Sequence, residues 1–152
     1  MSDEVLEAAI RCTFNSSFVK PNGVNDTLKI LWHAGEPLTV PIRHYQKAIE
    51  LIEHYNQDNI SCFYSVQTNA TLINQKWCDF LKANQFEVVV SVDGPEFIND
   101  RHRRNWSDKG SFAKIMKGID CLVSNDMPLL AIAVLTDYSL DYADEIFHFF
   151  KQ

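Results

Sequence analysis

No two of the four cysteines, Cys12, Cys62, Cys78 and Cys121, stand close enough to form a Cys-x-x-Cys pair. With no secretory leader in view, that spacing excludes a disulfide framework. It leaves buried or half-buried thiols, with Cys78 the first choice for a reactive or ligating one. No apolar run reaches the length of a membrane span. The opening Met1-Ser2-Asp3-Glu4-Val5 is acidic and carries no apolar leader core, so the cytoplasm is the expected location. A basic stripe is missing too. Lys and Arg number 14 against 20 Asp and Glu, for a net charge of -6. Arg101, His102, Arg103 and Arg104 make one local patch, and nucleic acid is not an expected partner. There is no internal repeat, low-complexity segment or linker. The 152 residues, 46% hydrophobic and 22% charged, suffice for one core.

What is present is an alternation of helical and strand patterns. Leu6, Ile10 and Phe14 recur at four-residue spacing, which predicts a helix from Ser2 to about Ser16 with Ser2 as its cap. Pro21-Asn22-Gly23 reads as a turn. Strands are predicted at Leu28 to Trp32, Ile60 to Val66, Phe86 to Val90 and Leu129 to Leu135. Between them, Ile42, Tyr45, Ile49 and Ile52 share one helical face. Trp77, Phe80 and Leu81 turn inward on the next helix, over about Asn74 to Asn84. Phe112, Ile115, Met116, Ile119, Leu122 and Val123 do so on a third, where Gly118 is read as merely tolerated. Glu96 to Gly110 reads as a long irregular surface stretch, and a final helix starts near Leu140. Strict alternation with helical crossovers predicts a parallel α/β sheet of about four strands with five helices. The wholly apolar Leu129-to-Leu135 run predicts a strand covered on both faces.

Polar residues gather where the strands stop. Gly35-Glu36-Pro37 ends the first, Gln67-Thr68-Asn69 the second and Ser91-Val92-Asp93-Gly94-Pro95 the third. The carboxyl ends of parallel strands are where such sheets bind ligands, so the three ends predict one site. Taken singly, Glu36 also reads as a solvent-facing carboxylate, Asp93-Gly94-Pro95 as a turn and Arg103 as a loop charge. His33 and Glu36 lack a third ligand at a recognisable spacing, so no metal site is read.

Trp32-His33-Ala34-Gly35-Glu36-Pro37-Leu38 resembles the Gly-Gly-Glu-Pro motif of radical S-adenosylmethionine (radical SAM) enzymes. Gln67-Thr68-Asn69-Ala70-Thr71-Leu72-Ile73 and Ser91-Val92-Asp93-Gly94-Pro95 are similar to that family's next two strand ends. The branch resembled is the SPASM-type enzymes related to anaerobic sulfatase maturases. His33-Ala34-Gly35, Trp77-Cys78 and Ile132-Ala133-Val134-Leu135-Thr136 are similar to its cyclophane-forming peptide maturases. The resemblance implies a partial (βα)6 barrel, here incomplete. It implies S-adenosylmethionine held at a [4Fe–4S] cluster, a precursor peptide or protein as substrate, and hydrogen abstraction by a 5′-deoxyadenosyl radical. Carried over residue by residue, Gly35 and Glu36 would meet the cofactor's amino group and Ser91 its ribose or carboxylate region. Arg103 would meet the cofactor carboxylate, Gln67, Thr68 and Asn69 would line the floor, and Asp93 would lie on the substrate side or fix the loop.

The departures from the family pattern are equally definite. The Cys-x-x-x-Cys-x-x-Cys stretch that holds the family's cluster is absent, and iron–sulfur clusters need closely placed thiolates. Ala34 and Ala70 stand where the family has glycines. The expectation is a partial radical SAM domain over residues 1–152, lacking the first strand, the cluster loop, the last strand and the cysteine-rich C-terminal region. No cluster, no catalytic residue and no catalysis are expected from these residues alone. The alternative is a non-catalytic module that still holds S-adenosylmethionine or a precursor peptide.

Overall fold

Four parallel strands pair in the order in which the chain makes them, β1-β2-β3-β4. The computed structural model describes residues 1–16, 19 and 27–151. The Pro21-Asn22-Gly23 turn lies outside the described residues. Helix α1 (Asp3–Phe14) starts on Ser2, whose hydroxyl accepts the Val5 N–H. Then follow β1 (Thr27–Trp32), a 3-10 turn (Pro37–Thr39), α2 (Ile42–Tyr55), β2 (Ser61–Thr68), α3 (Gln75–Ala83) and β3 (Glu87–Ser91). The remainder is α4 (Glu96–His102), α5 (Phe112–Ser124), β4 (Leu129–Ile132), α6 (Asp137–Leu140) and α7 (Ala143–Lys151).

Period-two alternation sorts the strand residues between two faces. Trp32, Tyr64, Val66, Val88 and Val90 turn toward the helices and join Tyr45, Trp77, Leu81, Phe86, Ile115 and Leu122 in the main core. Its centre is aromatic. Trp32 lies 5.6 Å from Tyr45 and 5.3 Å from Phe86, and Trp77 meets Tyr45 edge-on at 5.3 Å. Such pairs add about 0.5–1.5 kcal/mol each beyond the area they bury. The other face of the sheet carries Lys29, Phe63, Ser65 and Glu87 in adjacent registers. There Lys29 Nζ pairs with Glu87 at 3.0 Å, and the Ser65 hydroxyl donates to the same carboxylate. These two bonds hold the Glu87 carboxyl below its ordinary pKa.

The structure corrects several of the expectations. Glu96 to Gly110 is not wholly irregular, because Glu96–His102 forms α4. Its only fully buried side chains are Ile98 and Asn99, too few to register as a periodic stripe. Strand β4 stops at Ile132, and it is not covered on both faces. Leu130, Ile132, Val134 and Leu135 are all exposed. The final helix starts at Ala143, and a short helix that the spacing did not predict, α6, precedes it, opened by a capping box between Thr136 and Ser139. Gly118 is required rather than tolerated, since a Cβ there would fall on the carbonyl oxygen of Ala70. Its absence lets α5 lie directly against the loop that follows β2. Strand β2 also runs two residues further than predicted, so Gln67 and Thr68 belong to the strand itself.

Candidate cofactor and peptide site

Ala34 and Gly35 both have positive φ, +74° and +60°, and these two left-handed residues turn the chain sharply after β1. The turn delivers Glu36 to the mouth of the sheet, where it caps the 3-10 turn by accepting the Leu38 N–H at 3.0 Å. The same carboxylate reaches the neighbouring strand end. Thr68 Oγ1 donates to Oε1 at 2.6 Å, and the Asn69 N–H donates to Oε2 at 2.8 Å. Tyr45 fixes this loop from below, its hydroxyl donating to the Pro37 carbonyl at 2.9 Å. Burial, reinforced by the Glu36 charge, pushes the Tyr45 hydroxyl far above its ordinary pKa, so it stays a donor.

A second carboxylate does the same for the other pair of strands. Asp93, buried beyond β3, accepts two bonds from Arg103, from Nε at 2.7 Å and from Nη2 at 2.8 Å. It also accepts the Val134 N–H at 2.9 Å, from the segment just after β4. The Asn99 side chain, fully buried, accepts the Asp93 N–H. Asp93 therefore ties the β3 end to α4 and to the segment after β4. Asn99 and Tyr45 were missed as site residues. Tyr45 read as one more position on an apolar helical face, and Asn99 stood in a stretch expected to be loop.

Glu36, Asn69 and Arg103 line one open cleft of about 670 Å³ at this end of the sheet. Gln67 lies at the end of β2 on the face opposite the main core, in the row of Ser65. Ser91 ends β3 in the same row, paired with Ile132. Thr68 is buried beneath the cleft, and Gly35 lies at its exposed edge. The seven residues assigned to the cofactor thus lie at one end of three adjacent strands.

A carboxylate offers about four lone-pair sites and a guanidinium five N–H donors. Glu36 has three of its sites taken, and Arg103 has two of its donors taken by Asp93. One acceptor site and three donors are left for an amine and a carboxylate on a single small molecule. Those donor types fit the amino-acid end of S-adenosylmethionine. They do not fit an iron–sulfur cluster. Cys12 is exposed on α1, Cys62 lies on β2, and Cys78 and Cys121 face one another across α3 and α5 with their sulfurs 3.5 Å apart. Among the described residues no three His, Cys, Asp or Glu side chains converge as metal ligands. No helix among them is long and apolar enough to cross a membrane.

No family model matches the chain. It is 42% identical over 152 residues to an uncharacterized protein of Synechocystis sp., covering 97% of this chain and 37% of that protein. It is 36% identical over 154 residues to the serine-type anaerobic sulfatase-maturating enzyme of Bacteroides thetaiotaomicron, covering 100% of this chain and 35% of that enzyme. With the cysteine-type enzyme of Clostridium novyi the identity is 34%, covering 100% of this chain and 39% of the enzyme. Among solved structures, native anSMEcpe with bound AdoMet and the Kp18Cys peptide superposes with a TM-score of 0.89 at 27% identity. That match covers 99% of this chain and 40% of the other. The chain thus spans between 35% and 39% of the length of these three sequence relatives.

Proposed function

Starting from the fact that the chain belongs to the radical SAM superfamily, in its anaerobic sulfatase-maturase-like branch, we propose that these residues form the cofactor-facing strand ends of a peptide- or protein-modifying enzyme. Glu36 accepts the amino group of S-adenosylmethionine on its remaining lone pair, helped by the Gly35 carbonyl. Arg103, steadied by Asp93, presents its remaining N–H groups to the cofactor carboxylate. Gln67, Thr68, Asn69 and Ser91 shape the floor beneath. Asp93 itself acts by positioning Arg103 and the segment after β4. Bound S-adenosylmethionine would supply hydrogen-abstracting radical chemistry only with a reduced iron–sulfur cluster beside it. The ligands for such a cluster are not among these residues. The reading places the protein in the cytoplasm, where four free thiols are at home.

One observation carries this reading: a carboxylate with one acceptor site to spare and a guanidinium with three donors to spare line the same cleft. Titration calorimetry of the purified chain with S-adenosylmethionine tests it. Saturable heat is expected, with Glu36→Gln weakening affinity about tenfold, the equivalent of ~1.4 kcal/mol. Absence of heat with the wild-type chain overturns the reading.

The scattering of the cysteines supports a second reading, that the chain holds the cofactor or a peptide without performing chemistry. Anaerobic reconstitution with iron and sulfide tests the second. A stable cluster assembled on this chain alone contradicts it. Cofactor or peptide binding without cluster uptake is what it requires.

A further inference from the structure

We propose that Trp106 is the anchor on which the peptide partner docks, and that Lys114, lining the same cleft, selects a peptide carrying a carboxylate side chain. The inference rests on the reading above that the partner is a peptide or protein, and it adds the residues that choose it. Trp106 has a relative exposure of 107%, so its ring touches almost nothing in the chain. A Trp left loose in water would be unremarkable in a floppy loop, but this turn is built tightly. Asn105 Oδ1 accepts the N–H groups of Ser107 and Lys109, at 2.8 and 3.2 Å, and the Asn105 N–H donates to the Lys109 carbonyl. Arg104 pairs with Asp108 at 2.8 Å, and a backbone bridge between Arg104 and Gly110 closes the base. That base is pinned to the body of the fold. Asp100 accepts the Phe112 N–H at 2.8 Å, and its side chain fills the space that a Cβ at Gly110 would need.

The turn therefore holds the Trp106 backbone in place, with its exposed ring lining the same cleft as Glu36. A Trp side chain has only two torsions to lose when a ligand covers it, and Trp is enriched among residues that dominate binding energy. Charge gives the second half of the argument. The chain's net charge is -6, yet the lining of the cleft includes Arg103, Arg104 and Lys114. Arg103 is matched by Asp93 and Arg104 by Asp108. Lys114, on the exposed first turn of α5, makes no ion pair among the described residues. The one carboxylate in the lining is Glu36, already engaged by Leu38, Thr68 and Asn69. A peptide seated in the cleft meets a ring at one point and an unmatched ammonium at another.

The test uses fluorescence anisotropy with two fluorescein-labelled peptides, one with Phe and Asp two residues apart and the other with Asn in place of that Asp. The Asp peptide should bind about tenfold more tightly to the wild-type chain, and Lys114→Gln should remove that preference. Trp106→Ala should weaken both peptides about tenfold. Both altered side chains are exposed, so thermal melts should not move. Cofactor heat, measured separately, should be unchanged in both variants. Equal binding of the two peptides, no saturable binding of either, or an unaltered affinity in Trp106→Ala overturns the proposal. Peptide selectivity without cofactor heat would sustain this inference while removing the cofactor reading.

Discussion

Glu36 Oε1 and Thr68 Oγ1 lie 2.6 Å apart, so the ends of β1 and β2 are joined by side chains beyond the point where their backbone ladder stops. Thr68 is buried, and its hydroxyl also accepts the Ala70 N–H at 3.1 Å. Thr68→Val keeps the shape and removes both bonds. A hydrogen bond to a charged group contributes about 1.5–3 kcal/mol, and a buried donor left alone costs a similar amount. A loss of about 2–4 kcal/mol is expected in denaturant titration. A midpoint unchanged from wild type would show that the carboxylate finds another partner.

Asp93 and Arg103 form the second joint, with two short bonds and side-chain exposures of 9% and 24%. Removing one partner of a fully buried pair costs about 3–5 kcal/mol, and the residual exposure of Arg103 reduces that to about 2–3. Asp93→Asn should lower the melting temperature by several degrees, at roughly 2–4 °C per kcal/mol for a chain of this size. Asp93→Asn combined with Arg103→Gln should cost less than the sum of the single changes. Strict additivity in that cycle would mean the pair is energetically idle.

Two small-residue changes should act in opposite directions. Gly118→Ala drives a methyl into the Ala70 carbonyl, which outweighs the roughly 1 kcal/mol that alanine gains over glycine in a helix. Net destabilisation of about 1–3 kcal/mol is expected. Ala34 is exposed and held at φ +74°, a region that costs a non-glycine residue about 1–2 kcal/mol. Ala34→Gly should stabilise by about 0.5–1 kcal/mol once the freer unfolded chain is counted. Circular-dichroism melts of both variants check the two signs together.

The Cys78 thiol is pushed up to about 12 from its ordinary 9.0, chiefly by burial and then by the neighbouring Cys121. Its folded pKa is raised above the unfolded value. The contribution to stability is therefore whole below about pH 9 and is lost as pH rises toward about 12. Denaturation midpoints should slide downward across that window, less so in Cys78→Ala. In the native protein, iodoacetamide should modify exposed Cys12 first and Cys78 last, as peptide mass mapping would read it. Early labelling of Cys78 would contradict its burial.

The strands and the inward helix faces were legible because burial writes itself as periodicity. Tyr45, Trp77, Leu81, Ile115 and Leu122 stand where the spacing put them, all in the core. The strand-end motifs were legible because glycine, proline and a carboxylate have few reasons to adjoin an apolar run. The wiring of the site was not. Glu36 is held by the N–H groups of Leu38 and Asn69, and a backbone donor has no letter in the sequence. The bond between Arg103 and Asp93, ten residues back, had no signal either, because the helix between them buries a single turn and gives no stripe. Leu130 and Ile132 misled in the opposite way, since hydrophobicity records a preference for cover and not its presence.

Because each strand pairs with the one before it in sequence, every strand is synthesised before its next neighbour in the sheet. When Glu36 is added to the growing chain, Thr68 has yet to be made, 32 residues later. At roughly 5–20 residues per second that interval lasts a few seconds. During it β1 lacks its β2 neighbour and the Glu36 carboxylate has no Thr68 hydroxyl to meet. The arrival of β2 completes both at once, and the same delay recurs for Asp93, which waits for Val134. A slow-codon stretch or a bound chaperone acting between those residues would therefore set how long each half-made joint stands open.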